Sequence, residues 1–190
     1  SCMLKGIVAS KQIYFRPTCT NDIDNGWLEW VNDPIVNKYL VNRGPITRES
    51  IIQYLDDSKP PSVHMFAVCM IENDKYIGKV RLSSIDWINR RAAYGRLIGG
   101  RNLRGKGIGT EVLMLLSYYA FYHLNLNRIE TGVISSNIAS VRSNEKAGAV
   151  QEGILRQSAY VNGAYEDTIR FGITREDFEK TSWKIFLGIN

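Results

Sequence analysis

The sequence predicts a single α/β domain built on a mixed, mainly antiparallel sheet flanked by helices. Three observations point there. Apolar runs of strand length recur along the chain, separated by polar turns. The segment from Thr110 to about Leu124 repeats Val112, Leu113, Leu116, Tyr119, Ala120 and Tyr122 or His123 at three- and four-residue steps, so it reads as a helix with one buried face. Between the strand-like run ending at Ile98 and that helix lie five glycines, at 99, 100, 105, 107 and 109. With 190 residues and no internal repeat or linker, one domain over 1–190 is expected, with a core of about 11–178 and an apolar tail over 179–190.

Gln12 to Arg16 alternates polar and apolar residues before Pro17 and predicts an opening strand. Asn21 or Asp22 can cap a helix carrying Trp27, Trp30 and Val31 at helical spacing. Asn32-Asp33-Pro34 breaks it, because the residue before proline is pushed out of the α region. Pro34 can open a short turn carrying Val36, Tyr39 and Leu40. Thr47-Arg48-Glu49-Ser50 starts the next helix, which ends near Asp57. Val63–Ile71 and Tyr76–Ile85 read as a hairpin across Glu72-Asn73-Asp74-Lys75, and Arg91–Ile98 is the third strand of this group. Arg128–Ile134 is a further strand, and Asn137 caps a helix closed by Gly148. Val150–Val161 and Tyr165–Ile173 form a hairpin across Asn162-Gly163. Thr174–Phe178 can form one helical turn, and the apolar tail from Trp183 to Ile189 is expected to pack on the domain or on a partner.

Composition narrows the classes. The chain is 44% hydrophobic and 23% charged, the balance of an ordinary globular protein. Its net charge of +5 is spread along the chain rather than gathered in a block, which argues against nucleic-acid binding as the main function. No apolar run approaches the ~20 residues of a membrane span. No secretory leader is expected, because no basic segment precedes an apolar one at the N-terminus. Cys2, Cys19 and Cys69 form no close-spaced pair, so neither a disulfide framework nor a metal site is expected, and a reducing, cytoplasmic setting fits.

The glycine-rich stretch carries the chemistry. A strand, a glycine turn and a helix start aim unpaired backbone N–H groups and the positive end of the helix dipole at one place. Arg101, Arg104 and Lys106 add formal charge there. The simplest ligand is a pyrophosphate.

Three motifs in order then resemble the GCN5-related N-acetyltransferases (GNAT). Arg104-Gly105-Lys106-Gly107-Ile108-Gly109 matches that family's Q/R-x-x-G-x-G/A acetyl-CoA signature. Asn137 through Ala149 is similar to its N-x-x-A/S-(x)-E-K-x-G-F helix, and Tyr165 through Phe178 resembles the closing strand of the branch with ribosomal-protein, spermidine and amino-sugar acetyltransferases. The resemblance implies that central strands splay apart to admit acetyl-CoA. It implies that the backbone from Arg104 through Gly105, Lys106, Gly107, Ile108 and Gly109 to Thr110 holds the pyrophosphate, and that Leu97 and Ile98 pair with the pantetheine amides. Ile98 or Gly99 would supply an N–H for the developing oxyanion, and Asn137, Ser140 and Asn144 would contact the cofactor from the next helix.

Two positions depart from the family. Asn144 stands where many members carry a tyrosine that protonates the thiolate; asparagine can donate a hydrogen bond to sulfur but cannot give up a proton near neutral pH. Ala93 stands where relatives often place a glutamate base. Asp86 is the first candidate to replace it and Glu130 the second. Trp30, Asp33, Tyr39 and Asp86 are candidates for the acceptor site. Each has an ordinary alternative: aromatics at helical spacing serve cores, and Asn-Asp-Pro is a common turn. The expected activity is acetyl transfer from acetyl-CoA to a small primary amine, an amino sugar or polyamine, by direct attack in a ternary complex. A protein α-amine is the alternative acceptor, and a non-catalytic coenzyme A- or nucleotide-binding module the alternative class. The sheet edges and the tail permit a homodimer.

Overall fold

The computed structural model describes residues 6–103 and 105–190. Eight strands form one sheet in the order β1-β2-β3-β4-β5-β6-β8-β7. They are β1 (Val8–Ala9), β2 (Ile13–Pro17), β3 (His64–Met70), β4 (Tyr76–Asp86), β5 (Arg91–Ile98), β6 (Arg128–Ile134), β7 (Val150–Val161) and β8 (Ala164–Thr174). Every neighbouring pair is antiparallel except β5 and β6, which run parallel. The helices are α1 (Leu28–Asn32), α2 (Pro34–Asn37), α3 (Arg48–Asp57), α4 (Ile108–Tyr118), α5 (Ile138–Lys146), α6 (Arg175–Glu179) and α7 (Trp183–Leu187). The expected α/β class and the mixed, mainly antiparallel sheet are therefore both present.

The two faces of the sheet carry different partners, and strand alternation sorts the residues. Ile13, Phe15, Phe66, Val68, Val80, Leu82, Ala92 and Ile129 share one core with α4. Ala67, Cys69, Tyr76 and Leu97 pack on the other face against Ile23, Trp27, Val31 and Ile51. The C-terminal tail folds back onto the first core: Trp183 and Leu187 are buried, and the Trp183 ring lies 5.5 Å from Tyr118 and 5.2 Å from Phe178.

Local chemistry explains the boundaries. The capping box of Thr47 and Ser50 opens α3, and Asn162-Gly163, both at positive φ, make the β7–β8 turn. Asp22 does not cap. Its carboxylate accepts from Arg16 at 2.6 and 3.0 Å and from the Cys19 N–H at 2.9 Å, a buried bidentate pair. The helix expected after it is accordingly broken. A π-turn over Ile23–Trp27 bends at Gly26 (φ 138°) before α1 begins. The bend admits the Trp30 ring, which a Cβ at Gly26 would approach to 2.4 Å. Helix α4 starts two residues earlier than its apolar periodicity suggests, because Gly107 takes a left-handed conformation (φ 70°) and serves as its N-cap. Cys19 is disulfide-bonded, which corrects the expectation of no disulfide; spacing along the chain does not reveal such a pairing. Cys69 is a buried free thiol.

Glu111, 2% exposed in the first turn of α4, ties that helix to the edge of the sheet. Its carboxylate accepts from Ser10 Oγ at 2.7 Å, Gln12 N at 2.8 Å and Gln12 Nε2 at 2.7 Å. Charge near a helix N-terminus and three donors offset its desolvation. Glu111→Ala strands the Gln12 amide, and we expect a loss of about 3 kcal/mol in chemical denaturation. A loss below about 1 kcal/mol would contradict this anchoring role.

Candidate active site

The site begins where two strands part. Strands β5 and β6 pair only at Arg91–Arg128, Ala92–Ile129 and Ala93–Glu130. Beyond Ala93, β5 continues to Ile98 with β4 on one side and no β6 partner on the other. The Gly99 N–H is committed to the Ile77 carbonyl at 2.8 Å. Antiparallel bonds alternate along a strand, so Leu97 directs its amide toward β4 while the N–H groups of Arg96 and Ile98 face the gap. Of the two oxyanion donors considered, Ile98 is the one turned to the open edge. Leu97 contributes its side chain to the second core.

The gap leads to the glycine loop. Gly100, Gly105 and Gly107 have φ of 93°, 79° and 70°, conformations that side-chain-bearing residues rarely adopt, and a Cβ at Gly105 or Gly107 would meet nothing within 4 Å. No side chain caps α4, whose first turn carries the N–H groups of Ile108, Gly109 and Thr110. A backbone cradle open to solvent, at positive φ, at the start of an 11-residue helix fits a pyrophosphate. Lys106 is exposed beside it. Ile108 and Thr110 are buried and anchor the helix start. Arg104 lies outside the described residues.

Behind the cradle is a polar strut that sequence reading did not find. Arg96 donates to the Gly109 carbonyl and to Ser143 Oγ, linking β5, α4 and α5. Burial lowers its guanidinium to about 10. The buried Tyr94 hydroxyl donates to Asn144 Oδ1. The Asn144 amide nitrogen donates back to the Ser140 carbonyl at 2.8 Å and lies 3.4 Å from Ser140 Oγ. Asn144 is 1% exposed, and its side chain ties α5 to β5 through Tyr94. Asn137 caps α5 through the Ser140 N–H at 3.4 Å.

The opposite face of the sheet gathers the remaining candidates unequally. Glu130 stands at the last β5–β6 pair, on the face of Ala93, and contacts Arg128 at 2.9 Å and Arg170 at 3.6 Å. Asp86 is far from the loop. It pairs with Arg91 at the other end of β5, seven residues or roughly 23 Å of strand from Ile98. Its carboxylate accepts from the N–H groups of Ile88 (3.1 Å) and Asn89 (2.8 Å) and from Asn89 Nδ2 (2.7 Å), with Arg91 at 3.7 Å. These bonds, the Asn89 side chain first, hold it below the usual carboxylate range, which suits a turn and not a base. Trp30 lies against the glycine loop: a Cβ at Gly99 would come within 2.0 Å of its Cε2 atom. Its ring stacks on Tyr76 at 5.2 Å. Asp33 caps α2 through the Ile35 N–H at 2.9 Å. Tyr39 donates to the Ser136 carbonyl at 3.1 Å, bridging the α2 segment to the turn before α5.

Two cations on this face were also absent from the sequence reading. Lys79 and Arg81 of β4 lie opposite Leu97 and Gly95. Arg81 Nη1 and Lys79 Nζ both donate to Tyr54 Oη, at 2.6 and 3.3 Å. Burial, with Arg81 beside it, lowers the Lys79 ammonium to about 7. The signal available in the sequence was the alternation of Lys79 and Arg81 with Val80 and Leu82, which puts both cations on the face away from α4.

The chain matches the family model of the acetyltransferase (GNAT) domain over residues 12–150, and it belongs to that family. It is 32% identical to the "Probable N-acetyltransferase YjcK" of Bacillus subtilis over 185 residues, 94% of this chain and 100% of that one. It is also 32% identical to a spermidine N(1)-acetyltransferase of Vibrio cholerae over 102 residues, 54% of this chain and 58% of the relative. The fold is similar to the crystal structure of a Vibrio cholerae spermidine N-acetyltransferase in complex with CoA and spermine: TM-score 0.81, 24% identity, covering 89% of this chain and 99% of that one. The protein is an acyltransferase of this family, which uses acetyl-CoA as acetyl donor.

Two expectations follow. Gly107→Val places a branched side chain at φ 70° in the mouth of the cradle. Calorimetric titration with coenzyme A should give a Kd raised at least about tenfold, and an unchanged Kd would contradict the cradle. Between about pH 7 and the ordinary lysine value of 10.5, the unfolded chain holds a proton that folded Lys79 lacks. Stability therefore rises with pH through that window. Lys79→Met removes this contribution, so denaturation at pH 7 and pH 9 should show wild type gaining on the variant as pH rises. A gain in the opposite direction would contradict the lowered ammonium.

Proposed function

We propose that this chain transfers the acetyl group of acetyl-CoA to the primary amine of a small molecule, by direct attack in a ternary complex. The observation that carries the reading is the end of β5–β6 pairing at Ala93–Glu130, which leaves an open strand edge running directly into the glycine cradle. An extended arm with amide groups can add to that edge as a strand would. Amino sugars and polyamines are the acceptor classes that fit, and the relative named as a spermidine N(1)-acetyltransferase supports a small amine.

The chemistry needs three services. The attacking nitrogen must be a free amine, and Glu130, half-buried at the last β5–β6 pair and nearer the loop than Asp86, would take its proton through a chain of waters. As the C–N bond forms, charge develops on the carbonyl oxygen, and the Ile98 N–H is turned toward that edge. As the C–S bond breaks, the thiolate leaves and takes a proton from water or from the nitrogen, which is cationic in the tetrahedral intermediate. Asn144 does not supply one, since its amide is engaged with Ser140 and Tyr94.

Thiol release on mixing acetyl-CoA with a panel of amines, including a peptide α-amine, tests the reading. Turnover with small amines is expected. Tight coenzyme A binding without release for any amine would instead favour a non-catalytic module. Glu130→Gln should slow turnover by about 100-fold near neutral pH and by less at high pH, where free amine is abundant. Equal loss at both pH values would remove Glu130 as the base.

A further inference from the structure

We propose that the space over Gly95, flanked by Lys79, Arg81 and Tyr54, binds an anionic group, a carboxylate or phosphate, carried by the acceptor amine. The proposal rests on the acetyl-transfer reading above and names the acceptor's other end.

Charge pairing is the first observation. On this face of the sheet Arg16, Arg91, Arg128 and Arg170 each have a carboxylate oxygen within 4.0 Å, at 2.6, 3.7, 2.6 and 3.6 Å. Among the described residues, Lys79 and Arg81 have none. Both donate instead to one neutral oxygen, Tyr54 Oη, at 3.3 and 2.6 Å. Both also lie over aromatic rings: Lys79 at 4.9 Å from Trp27 and 4.7 Å from Tyr54, and Arg81 at 5.3 Å from Tyr54. Rings and a phenol position two cations without neutralising them. Two like charges side by side in a partly buried place repel, and an anion between them removes that cost. Burial first, and then the Arg81 charge beside it, lower the Lys79 ammonium.

Open space is the second observation, and it is independent. Gly95 is paired with Arg81 across β4–β5, and a Cβ built on it meets nothing within 4 Å. Its neighbours on the strand are closed: Leu97 is buried in the second core, and a Cβ at Gly99 collides with Trp30. A strand-interior glycine with free space above it marks close approach by another molecule. Here that space opens beside Arg81 and two residues beyond Ala93, the last residue of β5 paired with β6.

Position separates this pocket from the cradle for the coenzyme phosphates. The cradle begins four residues further along, roughly 13 Å of strand from Gly95, and leads into α4, which packs on the opposite face. Glu130 shares the face of Gly95 from the neighbouring strand. An acceptor lying over this face would direct its anion to Lys79 and Arg81 and its amine into the gap between β5 and β6. An amino sugar phosphate or an amino acid has both groups. A free polyamine has no anion to offer and brings positive charge to two cations.

The experiment compares acceptors matched at the amine: glucosamine with glucosamine 6-phosphate, and cadaverine with lysine, with spermidine as the polycation. In thiol-release assays kcat/KM should favour at least one anionic partner by at least about tenfold, chiefly through KM. The two pairs separate phosphate from carboxylate as the group recognised. Arg81→Met should collapse that ratio, and Arg81→Lys should restore part of it. Gly95→Val, which fills the space without altering charge, should raise KM for the preferred anionic acceptor. Calorimetric binding of glucosamine 6-phosphate and of lysine to the coenzyme A-loaded protein, wild type against Arg81→Met, reads the pocket without catalysis. Turnover that is indifferent to the anion, or best with spermidine and unaltered in Arg81→Met, overturns the pocket while leaving acetyl transfer intact. No turnover with any amine, together with Arg81-dependent binding of an anionic compound, overturns acetyl transfer while leaving the pocket. Absence of binding and of turnover overturns both.

Discussion

Parallel pairing between β5 and β6 ends at Ala93 and Glu130, and the rest of the site depends on where it ends. Three paired positions hold the two strands together at one end of the sheet. Past them, β5 keeps its bonds to β4, so its other edge stays extended and presents the backbone groups of Arg96 and Ile98. An open strand edge inside a sheet leaves polar groups without sheet partners, and proteins cover or use such edges. In this protein the edge leads into a glycine loop, and a ligand with amide groups can satisfy it.

The β5 side of the gap is held from behind. Arg96 reaches from β5 to the Gly109 carbonyl and Ser143, tying the strand to the start of α4 and to α5. Tyr94 and Asn144 add a second link between β5 and α5. Glu111 fixes the first turn of α4 to Ser10 and Gln12 at the sheet edge. On the other face Trp30 is lodged against Gly26 and Gly99, which couples α1 to the entrance of the glycine loop. These contacts hold the cradle before any ligand binds, and pre-organisation of that kind lowers the cost of binding.

The two faces of β5 have different electrostatics. Toward α4 the β5 cation Arg96 is engaged by the Gly109 carbonyl and the Ser143 hydroxyl. Toward α1 and α3 the cations of β4 are supported by aromatic rings and a phenol, with Glu130 across the gap. A proton acceptor and an anion site can therefore share one face without cancelling each other. Acidic Asp86, which chain order put near the strand end, is spent on its own turn.

Much was legible in the chain itself. Alternation, helical periodicity and the glycine, asparagine and proline punctuation are local effects, so most strand and helix identities, the Asn162-Gly163 hairpin and the glycine turn before α4 could be read from neighbouring residues, while the two-residue β1 and the helical form of the tail could not. The motif around Gly105–Gly109 likewise encodes a backbone shape, and backbone shape follows from which residues tolerate positive φ. What the tertiary structure decided is everything that depends on register and on burial. Whether Asn144 faces the gap or braces Tyr94, whether Asp86 or Glu130 stands at its mouth, and whether Lys79 and Arg81 find carboxylates are questions of which strands lie side by side. A shift of one residue in strand pairing reverses which face each side chain occupies, so those answers come only with the folded sheet.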